Sequence, residues 1–442
     1  MLKNKRFARH HVAFCVLGLI LFFFYAGFMN DHLNVLSVAL SETGWTTSQI
    51  YLGSNIGGYI TVILYLLCGI SLLKIGVKKT MLPSAVVLGV AAMFLGIAGG
   101  SGNLTLYTVL LCIVRCAVVP LQMGCFMMCA NWYIKYRGRM MGWITIGAPL
   151  FSVAGINLLS RLCMQGIDKG YMIFGGALVV IAIAAAVLLR DKPEDINLYP
   201  DGLDHAPISE DGDKNDIDIS LGEILRDVQA WKLIIAFGIL QAIITGMMGT
   251  MALRYVMAGD GFGAGTTPML YLSIGAALGI PMSFILGWID DKLGSIYASI
   301  ILCVGFFICV IPFIIMPWDM TSGASSALML VWAFGVACMT GGCATLHPAI
   351  TNYVYGRRRY QAANKWIMTF QGILQASVLP IMNLLYDMAM PNESHGMQSE
   401  FAKAGYIGFA VLIAVALVIL YTMRKLPDAN LEDRDYSQKQ VS

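Results

Sequence analysis

Charge is what this chain has least of. Asp, Glu, Lys and Arg together make up 12% of its 442 residues, against 58% hydrophobic types, and the mean hydropathy is +0.71. A soluble domain covers itself with charged side chains, so this balance excludes an ordinary soluble globule. Several signatures of chemistry are missing as well. No Gly-x-x-x-x-Gly-Lys-Ser/Thr loop occurs, which excludes a self-contained ATP-driven pump. No His-Glu-x-x-His spacing occurs, and the six histidines are scattered apart from His10-His11. No Gly-x-Ser-x-Gly elbow marks a hydrolase, and no polar stretch is long enough for a catalytic domain. The eleven cysteines contain no Cys-x-x-Cys pair. Most lie in apolar runs, some four apart (Cys112/Cys116, Cys125/Cys129), where they read as small packing residues. Neither an enzyme nor a bound cofactor or metal is expected, and the net charge of +3 gives no reason to expect nucleic acid as a partner.

What is present is a series of long apolar runs. A membrane-spanning helix needs roughly 20 apolar residues, so with turns this length holds about twelve. The runs fall at 11–38, 46–73, 80–99, 104–133, 139–162 and 170–190, then at 229–257, 267–289, 295–317, 324–352, 359–387 and 403–424. The first is too long for the apolar core of a cleavable leader and has no small-residue cleavage site after it, so it is expected to be a retained span.

The segment 191–228 stands apart. It carries Asp191, Glu194, Asp195, Asp201, Asp204, Glu210, Asp211, Asp213, Asp216 and Asp218 with few bulky apolar residues, too little to fold alone. The expected organisation is a six-helix bundle at 1–190, an acidic linker at 191–228, a second six-helix bundle at 229–425 and a polar tail at 426–442. Alternate loops are basic: Lys3, Lys5, Arg6 and Arg9; Lys74, Lys78 and Lys79; Lys135, Arg137 and Arg139; Arg357, Arg358 and Arg359; Arg424 and Lys425. Basic loops stay cytoplasmic, so both termini and the linker are expected inside. That requires an even number of spans, in agreement with twelve. Compact loops suggest a bacterial inner membrane.

The halves echo one another. Gly53-Ser-Asn-Ile-Gly57 in the second run corresponds to Gly275-Ala-Ala-Leu-Gly279 in the eighth, and Gly69…Lys74-Ile-Gly76 to Gly287…Lys292-Leu-Gly294. Asn131-Trp-Tyr before one basic loop corresponds to Asn352-Tyr before another. A repeated six-helix unit predicts a rocking transporter with its solute site between the halves.

On these residues the chain resembles the major facilitator superfamily, whose loop between the second and third spans reads Gly-x-x-x-Asp-Arg/Lys-x-Gly-x-Arg/Lys-Arg/Lys. Gly69-Ile-Ser-Leu-Leu73-Lys74-Ile-Gly76-Val-Lys78-Lys79 fits that form except that Leu73 replaces the acid. Gly287-Trp-Ile-Asp290-Asp291-Lys292-Leu-Gly294 keeps it at Asp291. The resemblance assigns gating to Gly69, Lys74, Gly76, Lys78, Lys79, Gly287, Asp291, Lys292 and Gly294. Arg137-Gly138-Arg139 before a glycine-spaced helix (Gly142, Gly147, Pro149) is similar too, as is Arg115, a position the resemblance ties to proton coupling. Asp191-Lys-Pro193-Glu194-Asp195…Tyr199-Pro200-Asp201-Gly202 resembles the oxalate/formate and monocarboxylate-porter branch. Those porters usually carry an arginine in the eighth span, and here that span holds no basic residue. The resemblance further implies an all-α membrane protein of twelve spans, acting as a monomer.

Ionisable groups inside a bilayer are costly, so each is a functional candidate. Asn30-Asp31-His32 with Asn34 is the densest cluster; Asp31 could carry a proton or bind a cationic group, and otherwise the cluster is a hydrated outer mouth. Arg115 lies eleven residues inside its run, about 16 Å at 1.5 Å per residue, too deep to snorkel easily. It pairs either with a solute or with Asp31, and in the second case protonation of Asp31 would free it for an anion. Lys365 either meets an anion or reaches the cytoplasm. Arg254 reads as a surface residue at the outer end of its run, or as one lining an outward vestibule, and His347 as a packing histidine ahead of a proton relay. Asn55, Tyr59, Gln122, Gln241, Thr245, Gln371 and Gln375 offer neutral hydrogen bonds to a solute or between helices. The expected function is secondary transport of a small organic anion, a carboxylate, driven by protons or by exchange for a counter-anion. Arg115 is then the main contact and Lys365 the second. The alternative is a neutral or cationic solute centred on Asp31.

Overall fold

The computed structural model describes residues 5–426 apart from 42, 134–139, 141–142, 203–218, 258–265, 316–322, 391–395 and 397. The basic turn with Arg137-Gly138-Arg139, the middle of the linker and the tail lie outside the described residues, as do the side chains of Leu73 and Asp291. Among the described residues there is no strand, and twelve helices are long and apolar enough to cross a membrane. In chain order, spans 1–6 are Phe7–Ala39, Thr47–Cys68, Val77–Gly100, Leu104–Cys129, Trp143–Cys163 and Ile167–Leu188. Spans 7–12 are Val228–Arg254, Leu270–Asp290, Ser295–Ile315, Ala327–Gly356, Ala363–Ala389 and Ser399–Tyr421. Each apolar run of the sequence therefore becomes one span.

Local chemistry sets the ends. A reciprocal capping box between Thr46 and Gln49 opens span 2, and the Asn103 side chain accepts from the Leu106 amide to open span 4, each satisfying an orphan donor of the first turn. The two signature loops turn at equivalent residues, Gly76 with φ +105° and Gly294 with φ +87°, a left-handed backbone that glycine adopts without strain. Spans 10 and 11 form one helical run, Gly323–Ala389, broken at Gly356. Two spans carry π-helical turns: Gly27–Asp31 in span 1 and Phe151–Gly155 in span 5. The second follows Pro149, whose missing N–H loosens the preceding turn.

The two ends of the linker carry short ordered elements. Pro193–Ile196 and Pro200–Gly202 are short 3-10 turns, and Leu221–Arg226 is a helix opened by a Ser220–Glu223 capping box. Leu198, Ile219 and Ile224 are buried, so a few apolar anchors among the acids suffice to dock these ends.

By its contacts the chain divides into two compact units. Unit 1 comprises Met1–Ile208 with Met248–Ser273, and unit 2 comprises Ser209–Met247 with Ile274–Ser442. The division falls once in the linker, after Ile208, and also cuts through spans 7 and 8. Within unit 1, the Asn34 side-chain amide donates to the Met248 carbonyl at 2.6 Å and accepts from the Ala252 amide at 3.2 Å. Tyr51 donates to the Gly249 carbonyl at 2.8 Å.

In lipid, apolar surface does not drive helices together; close packing does. Within unit 1, span 2 packs on span 4 so closely that a Cβ on Gly53 would lie 2.2 Å from the Thr108 carbonyl oxygen. Within unit 2, a Cβ on Gly275 would lie 2.8 Å from the Ala333 carbonyl oxygen of span 10. The repeated glycine spacing therefore makes the same second-on-fourth contact in each unit. Large apolar residues such as Ile63, Val180 and Phe284 are exposed, as a lipid-facing surface requires.

Candidate substrate and coupling site

The two π-turns of unit 1 face each other. A Cβ on Gly27 would fall 2.1 Å from the Phe151 ring, so the glycine lets the two irregular turns touch. Across that contact the Ser152 hydroxyl donates to the Asp31 carboxylate at 2.5 Å. The Ser152 carbonyl in turn accepts from Ser273 at 2.7 Å, and Asn157 donates to the Ser273 hydroxyl at 2.7 Å. Beside Asp31, His32 Nδ1 lies 3.2 Å from the Tyr171 hydroxyl. Asp31 and His32 are both buried, and Asn30 beside them is half-buried.

Arg115 projects from span 4 toward the same turn and is only 5% exposed. Its Nη1 donates to the Met29 carbonyl at 2.5 Å and stands 2.7 Å from the Met29 sulfur and 3.5 Å from Asn30 Oδ1. The guanidinium thus binds a backbone carbonyl of the π-turn in span 1. Arg115 Nε, buried, has no hydrogen bond. Among the described residues no ion pair joins Arg115 to Asp31; the aspartate is held by serine and the arginine by a carbonyl. Space for the arginine comes from Gly57, where a Cβ would lie 2.7 Å from Arg115 Cβ. Nearby, Tyr65 donates to Gln122 Oε1 at 2.7 Å.

The other residues singled out in the sequence fall elsewhere. On span 2, Asn55 is half-buried with its Oδ1 lacking a hydrogen bond, and Tyr59 is 47% exposed. Arg254 differs from its expected surface position: it is fully buried, within the part of span 7 that belongs to unit 1. In unit 2 a second polar patch joins spans 7, 10 and 11. Gln241 donates to Gln371 at 3.4 Å, Gln371 donates to the Leu233 carbonyl at 3.1 Å, and Gln375 donates to Thr245 at 2.8 Å. His347 is buried edge-on to Phe237, with ring centroids 5.2 Å apart, and its Nε2 has no hydrogen bond. Lys365 is exposed, its ammonium 5.5 Å from the ring centre of Trp366. Trp366 donates to the Ile219 carbonyl, so Lys365 lies beside the docked end of the linker, some distance along span 11 from Gln371.

The signature loops have their own anchor. Asp191, just after span 6, accepts from the Lys78 amide at 2.7 Å, and its other oxygen would lie 2.8 Å from a Cβ on Gly76. Lys78 Nζ donates to the Ala186 carbonyl, Asn131 to the Asp191 carbonyl and Trp132 to the Arg190 carbonyl. In the second loop Lys292 lies 4.2 Å over the Trp288 ring. Ser152, Tyr65 and Tyr171 were not singled out in the sequence. Ser152 lies three residues after a proline in a glycine-spaced helix, the one signal that could have marked an irregular turn there.

Comparison with known proteins agrees with this architecture. A family model described as the Major Facilitator Superfamily matches residues 12–379. No curated protein sequence matches the chain. A bacterial homologue of the human lysosomal transporter Spinster, in an inward-facing unoccupied form, superposes with TM-score 0.69 at 11% identity, over 95% of this chain and 99% of that one. The nucleoside transporter NupG does so with TM-score 0.65 at 12% identity, over 94% and 100%. A D-xylose–proton symporter does so with TM-score 0.64 at 12% identity, over 94% and 99%. At such identities the likeness is one of fold, whereas the family match covers most of the chain. This twelve-span protein belongs to the Major Facilitator Superfamily, the membrane transporters that work by alternating access.

Proposed function

We propose that the chain carries a small organic anion, a monocarboxylate or related acid, coupled to protons or to exchange for a counter-anion. One observation carries this reading. Arg115 is a permanent cation sealed inside a membrane-spanning unit, held by a carbonyl and a sulfur, with Nε unbonded and no carboxylate in ion-pair range among the described residues. A buried charge without a counter-charge is expensive, and an anionic solute offsets that cost. Asp31, two residues along span 1 from the Met29 carbonyl that Arg115 binds, is the protonatable partner. The short acidic segment after span 6 favours the oxalate/formate and monocarboxylate-porter branch within the superfamily.

The second reading, a neutral or cationic solute, also has an observation behind it: Asp31 is tied to neutral Ser152 rather than to a cation. Thermal stabilisation of the purified protein by carboxylates, neutral sugars and organic cations separates the two. On the first reading a carboxylate raises the melting temperature of the wild type, and Arg115→Ala weakens that binding by about 10–100-fold, the loss of one charge-assisted hydrogen bond. Stabilisation by cations alone, abolished in Asp31→Asn, would establish the second.

A further inference from the structure

Unit 2 has a recess where span 12 ends. It has a volume of about 450 Å³ and is lined by Gln229, Lys232, Tyr421, Thr422, Met423 and Arg424. Two of the six carry positive charge. Lys232 spends one N–H on the Thr422 carbonyl at 2.6 Å, which fixes the ammonium at the wall and leaves its other protons for a ligand. Arg424 is anchored through its backbone, whose amide donates to Gln229 Oε1 at 3.1 Å, so its exposed guanidinium is free of that duty. Lys425 is turned away, its ammonium 5.5 Å over the Tyr353 ring. The neighbouring acid, Asp227, is engaged by the Tyr355 hydroxyl and the Gln229 amide, which keeps its charge directed into the protein.

The level of the recess is marked by aromatic residues. Tyr421 is 72% exposed at the last residue of span 12, and Trp231 is partly exposed on the first turn of span 7. Trp288 and Tyr297 are exposed at the end of span 8 and the start of span 9. Amphipathic rings at helix ends sit at headgroup depth. The alternation of basic loops puts this end on the cytoplasmic side, where anionic lipids accumulate. The recess thus combines two held cations with a headgroup-level mouth beside an apolar, lipid-facing surface.

We propose that this recess binds the phosphate of an anionic phospholipid, with Lys232 and Arg424 on the phosphate, Gln229 on the headgroup and the acyl chains along the exposed face of span 12. The site is independent of the solute carried.

The test is native mass spectrometry and thermal melting of the full chain in phosphatidylglycerol or phosphatidylcholine nanodiscs. Lys232→Met and Arg424→Gln are the variants; both keep the Arg424 amide bond to Gln229, though Lys232→Met gives up the bond to the Thr422 carbonyl, and Lys403→Gln at the opposite end of span 12 is the control. The wild type and control should retain phosphatidylglycerol selectively. Each recess variant should lose about fivefold in retention, as for one basic group at an anionic surface. Equal retention in a Lys232→Met/Arg424→Gln double variant, or no preference over phosphatidylcholine, overturns the proposal. Equal stabilisation by inorganic phosphate in detergent would assign the recess to a free anion instead and overturns it too. Should a variant fail to fold, the wild type still decides: retention that falls as ionic strength rises supports an electrostatic site, and salt-independent retention refutes it.

Discussion

At the scale of single residues the site rests on a few groups that apolar surroundings make expensive. Asp31 is held through one oxygen by Ser152, and an asparagine can accept the same hydrogen bond. Asp31→Asn should therefore fold and reach the membrane normally yet lose the pH dependence of transport. Uptake measured in proteoliposomes across a pH series checks this, and an unchanged profile removes Asp31 from coupling. Gly57→Ala acts through space rather than charge. Its Cβ would collide with Arg115 Cβ and Cγ at 2.7 and 2.8 Å, an overpacking that costs about 1–3 kcal/mol. It should lower both the melting temperature and the affinity for the anion, whereas Gly100→Ala, which meets only Ile167 at 3.4 Å, should do neither. Asp31 and Arg115 were legible in the sequence because any charge stands out in an apolar run. Their partners were not. A hydroxyl in such a run is common, and the Met29 carbonyl that Arg115 binds lies in a π-turn that no residue pattern announces. Arg254 was misplaced because distance from the end of a run was taken as exposure, while Met248–Ser273 is packed into unit 1.

At the scale of elements the spans were legible throughout, since a bilayer demands one long apolar helix per crossing. The irregular turns inside them were not, because they depend on what packs alongside. The first signature loop shows the same limit. Leu73 stands where the resemblance places an acid, and sequence reasoning alone found no substitute. In the folded chain a carboxylate from another helix end reaches that loop: Asp191 caps span 3 through the Lys78 amide. Cap residues contribute about 1 kcal/mol, and this one also joins the ends of spans 3, 4 and 6. Asp191→Ala should lower stability by about that amount and raise hydrogen exchange at the first amides of span 3. Asp191→Asn, which can still accept the bond, should restore most of it. Exchange unchanged in Asp191→Ala would mean that the cap is idle.

At the scale of the molecule, what fixes the topology is charge spread thinly over many loops. Lys74, Lys79 and Lys292 are exposed near the loops after spans 2 and 8, while the turn after span 3, around Gly102, carries no basic residue. Twelve spans return the chain to the side on which it began, so both termini and every basic loop should share one compartment. Fusion of a fluorescent protein that matures only in the cytoplasm should give bright cells when joined after Arg424. Fusion of a phosphatase active only outside should give enzyme activity when joined after Gly102. The two results are linked, because each span reverses the polarity of the next. A dark fusion at Arg424 together with an active one at Gly102 would mean an even number of crossings between them, so that one of the nine helices from span 4 to span 12 does not cross the bilayer. Reversal of both would leave the fold intact and invert the molecule. The basic recess at the end of span 12 would then face the outer leaflet, away from the anionic lipid it is proposed to bind.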